Sequence, residues 1–227
     1  MADPVTPSQG WGVLHLFAKL LPGADAQAVA TAVKAAEGDG HQVVPFAVLG
    51  HKADLGFMAV GADLWRLRRL QSDLQAAGLE VADSYVSLTE VSEYAKGVPE
   101  KARAARLYPT LPPEGMPAIC FYPMSKRRNV GQNWYTQPYD RRLELMYDHG
   151  RSGRTFAGRV VQLVTGSTGL DDHEWGVTLF GVHPDDLKDC VYTMRFDEGS
   201  ARYAEFGPFY TGLVAPLDEV LALVGLA

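Results

Sequence analysis

LGFMAVGADLWRLRRLQSDLQAAGLEVADSYVSL, residues 55–88, is the stretch on which the fold is read. Residues 55–60 form one strand-like run. A helix then starts at Asp63, with Leu64, Leu67, Leu70 and Leu74 recurring at helical spacing along one face, and Gly78 ends it. Residues 80–88 close the unit as a strand. Working outward to the N-terminus, residues 41–49 read as a strand joined by a turn to 55–60. Before it stands a helix with Asp25 as N-cap and Val29, Val33 and Ala36 on one face, stopped near Gly38. Residues 12–19 alternate as a first strand. The order is βαββαβ, the ferredoxin-like unit.

Residues 97–116 carry Pro99, Pro109, Pro112, Pro113 and Gly115 and read as a connector. The same rhythm then returns. Residues 118–122 are a predicted strand, and 139–149 a helix with Thr136 as candidate cap and Pro138 in its first turn. Two strands follow, 159–164 and 175–182, around a Gly/Asp-rich turn. Residues 184–194 form a helix that aligns Leu187, Val191 and Met194, then come a strand at 209–214 and a short helix at 217–224. The halves share a pattern, not residues. This predicts an α+β fold of two ferredoxin-like βαββαβ repeats, residues 1–105 and 106–227, whose sheets pack or merge into a dimeric α/β barrel-type subunit.

The 227 residues suffice for one large domain or two small ones, and 47% hydrophobic with 21% charged residues is the balance of a globular chain. No apolar run reaches the length of a membrane span. The start, with neither a basic n-region nor an apolar h-region, does not read as a signal peptide, and Pro4 and Pro7 suggest a loose arm. Cys120 and Cys190 lie far apart and outside metal-ligand spacing, so buried free thiols in a reducing cytosol are expected. A net charge of -6 argues against nonspecific nucleic-acid binding and requires any acidic ligand to find a local basic cluster.

Candidate chemistry concentrates in the second half. Tyr122 and Lys126, followed by His149, combine an oxidisable phenol, an ammonium and an imidazole on an apolar helix face, the parts needed to hold an iron porphyrin and move an electron beside it. His149 shares its face with Leu145 and Met146; such a histidine is either a satisfied core residue or an axial ligand. The other five histidines show no HxH, HxxxH or HExxH spacing, which argues against zinc. Strand alternation sets Ala118, Cys120 and Tyr122 on one face, leaving room for a flat ligand beside the phenol. Gln162 points with Val160 and Val164 and needs a partner if buried. The run Lys126-Arg127-Arg128 is either solvated surface or a carboxylate site, and Arg195 and Ser200 flank a helix end where they could clamp an anion.

Residues 120–128 with Asn133-Trp134-Tyr135, then Leu145-Met146-Tyr147-Asp148-His149-Gly150, Gly169-Leu170-Asp171-Asp172 through Glu174-Trp175-Gly176, and Met194-Arg195-Phe196-Asp197-Glu198, resemble the chlorite dismutase superfamily. Within it the chain is similar to the coproheme decarboxylases of the Gram-positive type, over nearly its whole length and most specifically in the second half. The resemblance implies that residues 106–227 bind haem or coproheme, with His149 as proximal iron ligand and Tyr122 as the tyrosine that becomes a radical. Lys126 would stand near the second reacting propionate. Arg106, Arg195 and Ser200 would hold propionates, Met124 would lie near the porphyrin edge, and Gln162 would be the distal residue.

The implied activity is peroxide-driven oxidative decarboxylation of iron coproporphyrin III, at once substrate and redox centre, to haem b. The resemblance further implies a homopentamer that takes porphyrin and hydrogen peroxide, while cysteine usage, charge and hydropathy already suggest a cytoplasmic chain with no nucleic acid and no membrane span. Glutamine at 162 lacks the charge with which an arginine holds an oxyanion in true chlorite dismutases, which tilts the reading from chlorite chemistry to decarboxylation. A chlorite dismutase, a haem carrier or sensor without turnover, and a plain oligomerisation module are the alternatives.

Overall fold

The computed structural model describes residues 3–95 and 97–226. The first half runs β1 (Gly12–Leu20), α1 (Ala26–Gly38), β2 (Gln42–Val48), β3 (Leu55–Gly61), α2 (Leu64–Ala76) and β4 (Leu79–Thr89). After α3 (Glu100–Leu107) come β5 (Ala118–Lys126), a hairpin of β6 (Arg128–Asn129) and β7 (Gln132–Asn133), a 3-10 turn at Trp134–Thr136, and α4 (Tyr139–Arg154). The chain closes with β8 (Val160–Gly166), β9 (Trp175–Gly181), α5 (Pro184–Met194), α6 (Glu198–Tyr203), β10 (Ala204–Phe206), β11 (Tyr210–Val214) and α7 (Leu217–Leu223).

The two expected repeats are present as sheets. In the first, neighbours run β4-β1-β3-β2; in the second they run β11-β5-β9-β8, the same order. The sheets merge where β2 meets β11 and β4 meets β8, closing an eight-strand ring, with β10 lying against the far end of β5. Alternation along the strands explains the layers. Val13 and Phe17 of β1, Ile119 and Phe121 of β5, and Phe180 of β9 fill the barrel. Leu14 and Leu16 point outward under α1 and α2, whose Val29, Val33, Leu67, Leu70 and Leu74 cover that side. Gly56 and Gly212 admit the Phe46 ring: a β-carbon on either would stand 2.1 or 2.7 Å from it.

On the second half the outer face carries Cys120, Tyr122, Val160, Val177 and Leu179, covered by Leu187 and Cys190 of α5. Here the apolar cover is thinner. Of sixteen residues in α4, only Leu145 is buried.

Several expectations need correction. The connector is not structureless, for Glu100–Leu107 is helical, though with no buried residue. The strand expected at 118–122 continues to Lys126 because Pro123 and Met124 still pair with Gly176 and Trp175. The helix expected to end at His149 continues to Arg154, through Gly150 and Gly153. Thr136 is no cap: its hydroxyl bonds back to the Asn133 carbonyl, and Pro138 occupies the N-cap position. The N-terminal arm is not loose throughout, since Val5 exchanges hydrogen bonds with Asp63 and Leu64. Among the described residues no helix is long and apolar enough to cross a membrane.

Candidate functional site

Two groups of side chains meet between the outer face of the second sheet and the helices α4 to α6. The first is built on His149. Its Nδ1 lies 3.0 Å from Asp197 Oδ2, and the Ser200 hydroxyl is 3.3 Å from the same nitrogen. Asp197 is the N-cap of α6: its Oδ1 accepts the Ser200 backbone N–H at 2.8 Å, while Oδ2 accepts the Ser200 hydroxyl at 3.2 Å. Burial would push this carboxyl up, but hydrogen bonds and charge from His149, with the Ser200 bonds, outweigh it and hold it below the usual range. In the neutral imidazole, an ionised carboxylate on Nδ1 fixes that nitrogen as the protonated one and leaves Nε2 as a lone-pair donor, with no partner among the described residues. This is the carboxylate–histidine arrangement that orients metal-ligating imidazoles. Among the described residues no three His, Cys, Asp or Glu side chains converge as a metal cage. A porphyrin supplies its own four nitrogens, so a single protein imidazole is sufficient for its iron.

Lys126, at the end of β5, borders this group. Its side chain is buried, with Nζ 3.4 Å from the Gly199 carbonyl and 4.3 Å from the Trp134 ring centroid. Burial lowers its pKa to about 8, against the opposing pull of Asp197 and Glu174. Glu174 is itself buried and accepts the Lys126 backbone N–H at 2.7 Å.

The second group surrounds Tyr122. Its ring stacks on Phe209 at 4.5 Å and meets Phe206 at 5.7 Å, and Arg195 lies over the second of these rings, 4.1 Å from the Phe206 centroid. Burial, aided by Cys120 and Cys190 and only partly offset by Arg195, pushes the phenol well above its ordinary pKa. Met124 packs on the same apolar cluster. Gln162 reaches across to α5, its amide N–H groups directed at Cys190 Sγ (3.5 Å) and Met194 Sδ (3.7 Å). The same amide is 3.3 Å from where a β-carbon on Gly153 would stand, one turn past His149 on α4. Gln162 and Tyr122 therefore lie on the sheet side, and His149 on α4, whose Gly153 approaches the Gln162 amide. Both cysteines are free and buried.

Arg106 is not brought into this neighbourhood. It lies exposed on α3 and makes no hydrogen bond or ion pair with another described residue. The residue that sequence reasoning left without a role is Asp197. The signal for it was available: an Asp three residues before a Ser, after a helix end, is an N-cap pattern that would bring its carboxylate toward the preceding elements. Trp134, which covers Lys126, carried no such local signal.

A family model described as chlorite dismutase matches residues 23–215. A coproheme decarboxylase of Staphylococcus carnosus is 44% identical over 186 residues, covering 77% of this chain and 73% of its own. A Natronomonas pharaonis protein provisionally named as heme-binding is 40% identical over 254 aligned positions, covering 97% of this chain; the chain spans only 42% of that protein's length. Among solved structures, a heme-binding protein from Thermus thermophilus superimposes with a TM-score of 0.86 at 36% identity, over 100% of both chains.

Proposed function

The chain belongs to the chlorite dismutase family, and on that premise we propose that it converts iron coproporphyrin III to haem b by peroxide-dependent oxidative decarboxylation. The observation that carries the reading is the His149–Asp197 pair, with Nε2 unpartnered among the described residues, on the helix whose Gly153 approaches Gln162 of the sheet that also carries Tyr122. Similarity to a coproheme decarboxylase and to two proteins named for heme binding supports it.

In this reading the porphyrin is the substrate and lies between α4 and the sheet. His149 holds its iron through Nε2, and Asp197, by accepting from Nδ1–H, raises the donor strength of that nitrogen. Ser200 anchors Asp197 through its backbone N–H, and its hydroxyl would turn from Asp197 to donate to a propionate at that edge. Lys126 and Arg195 meet propionates at the sheet end, with contacts of about 1.5–3 kcal/mol each. Met124 packs near the ring edge, and Arg106 joins them only if α3 moves. Tyr122 receives the oxidising equivalent of peroxide and, as a phenoxyl radical, removes hydrogen from the β-carbon of a propionate. For each propionate, one peroxide and one proton are consumed and two waters, carbon dioxide and a vinyl group are formed. Gln162 presents a neutral amide to the distal side, which does not stabilise the oxyanion of chlorite as a cation would. A cytoplasmic homopentamer completes the proposal.

The test is to add iron coproporphyrin III, titrate peroxide and follow products by chromatography. Vinyl-bearing products are expected, and their absence would sink the assignment. Tyr122→Phe should bind the substrate yet stall before the first decarboxylation. The relatives named for heme binding favour one second reading, a carrier without turnover, in which that variant and the parent would behave alike.

A further inference from the structure

Tyr210, which the reaction above leaves unused, opens β11 on the inner side of the barrel. Its hydroxyl donates to Asp83 Oδ2 at 2.6 Å, and its ring stacks on Phe17 with centroids 3.7 Å apart. Lys52 Nζ stands 5.4 Å from the ring centroid and donates to the Phe209 carbonyl at 2.6 Å. A phenol bonded to a carboxylate is readily oxidised, because the carboxylate takes the proton as the electron leaves. The adjacent ammonium disfavours a positive ring, so electron and proton must go together. The Tyr122 hydroxyl, by contrast, has no hydrogen-bond partner among the described residues.

The route between the two phenols is short. Phe209 stacks on Tyr122 with an interplanar angle of 24° and is covalently next to Tyr210. Tyr210 also pairs across the sheet with Phe121, the neighbour of Tyr122. The two phenols thus project from opposite faces of one sheet, on neighbouring strands whose backbones lie about 4.8 Å apart.

We infer that Tyr210 with Asp83 is a second redox site, which returns an electron to oxidised Tyr122 when no propionate is within reach. The inference rests on the radical role given to Tyr122. In the step, Tyr210 loses an electron to the Tyr122 phenoxyl and its phenolic proton to Asp83. Tyr122 takes up a proton from the porphyrin pocket and is again a phenol. Asp83 is half-buried at the barrel rim and can pass its proton to water.

The experiment loads the full chain with iron coproporphyrin III, adds peroxide and follows freeze-quenched samples by electron paramagnetic resonance, with ring-deuterated tyrosine to identify tyrosyl signals. An early signal lost in Tyr122→Phe, and a later one lost in Tyr210→Phe and diminished in Asp83→Asn, are expected. After the propionates are consumed, further peroxide should bleach the porphyrin faster in Tyr210→Phe than in the parent. A late signal unchanged in Tyr210→Phe overturns the inference, as does a Tyr210 signal that survives in Tyr122→Phe. Normal vinyl formation by Tyr122→Phe overturns the reading of Tyr122 itself, whereas Tyr210→Phe should still form product.

Discussion

Lys126 is a cation where burial works against charge. Its pKa is lowered to about 8, and the groups that oppose that shift, Asp197 and Glu174, belong to the walls of the same site. A propionate placed beside it favours the ammonium and raises that value on binding. The sign of the linkage follows. Below pH 8 the lysine is already charged and binding is strongest; as pH rises through about 8, the free protein loses the proton that the complex requires, and affinity falls. Porphyrin titrations from about pH 6 to 9.5 should show this decline in the parent chain. Lys126→Met should bind more weakly at low pH and lose the slope; an unchanged slope would place the titrating group elsewhere. The same residue shows what sequence carries and omits. Its basic neighbours were visible in the run to Arg128, but nothing local announced that Lys126 turns inward under Trp134 while Arg128 stays exposed.

At the scale of elements, α4 is the exception. It is the longest helix among the described residues, yet it buries only Leu145, and its outward side leaves Tyr147 and Leu143 exposed. A helix held by few buried contacts opens at low free energy. If the porphyrin lies against it, through His149, the ligand supplies the missing packing. Amide hydrogen exchange along α4 should therefore slow markedly when iron coproporphyrin III is added, while α1 and α2, already packed by Val29, Leu70 and Leu74, should change little. Equal slowing in all three, or none in α4, would argue against binding on this helix. The periodic helices α1 and α2 were legible because leucine or valine spacing and Asp caps agree with tertiary burial. The end of α4 was not legible, because Gly150 and Gly153 each disfavour helix by about 1 kcal/mol and only tertiary contacts reverse that preference. Helix α3 was hidden for a related reason: it buries nothing, so no apolar stripe marks it among the prolines. Helix α6 is too short for periodicity to speak, and its cap, Asp197, is also the partner of His149.

Across the whole molecule, the pattern of two βαββαβ repeats was readable, since the barrel strands alternate between a core-facing side and an outer side. Closure of the ring was not, because β4 meets β8 over two residue pairs and β2 meets β11 over three, with no local signature for either. The closed barrel shields its interior side chains from solvent, and His15 stands among them. It is fully buried, 2.9 Å from the Thr178 hydroxyl through Nε2, stacked at 4.1 Å on Phe121, with Nδ1 unpartnered. Burial lowers its pKa from 6.5 to about 3, so the fold holds it neutral where the unfolded chain would take up a proton. The stability this gives is fully present above pH 6.5 and is lost as pH falls toward 3, by roughly 5 kcal/mol at full effect. Carboxylates elsewhere in the chain contribute to acid unfolding as well, so the histidine's share must be isolated by substitution. His15→Gln keeps a neutral side chain able to bond Thr178 but removes the titration. Its melting temperature at about pH 7.5 should lie below that of the parent, since the stack on Phe121 is lost. Between about pH 6.5 and 4 it should decline less steeply, so that the two curves converge or cross. Parallel curves would show that the barrel's acid sensitivity comes from groups other than the buried imidazole.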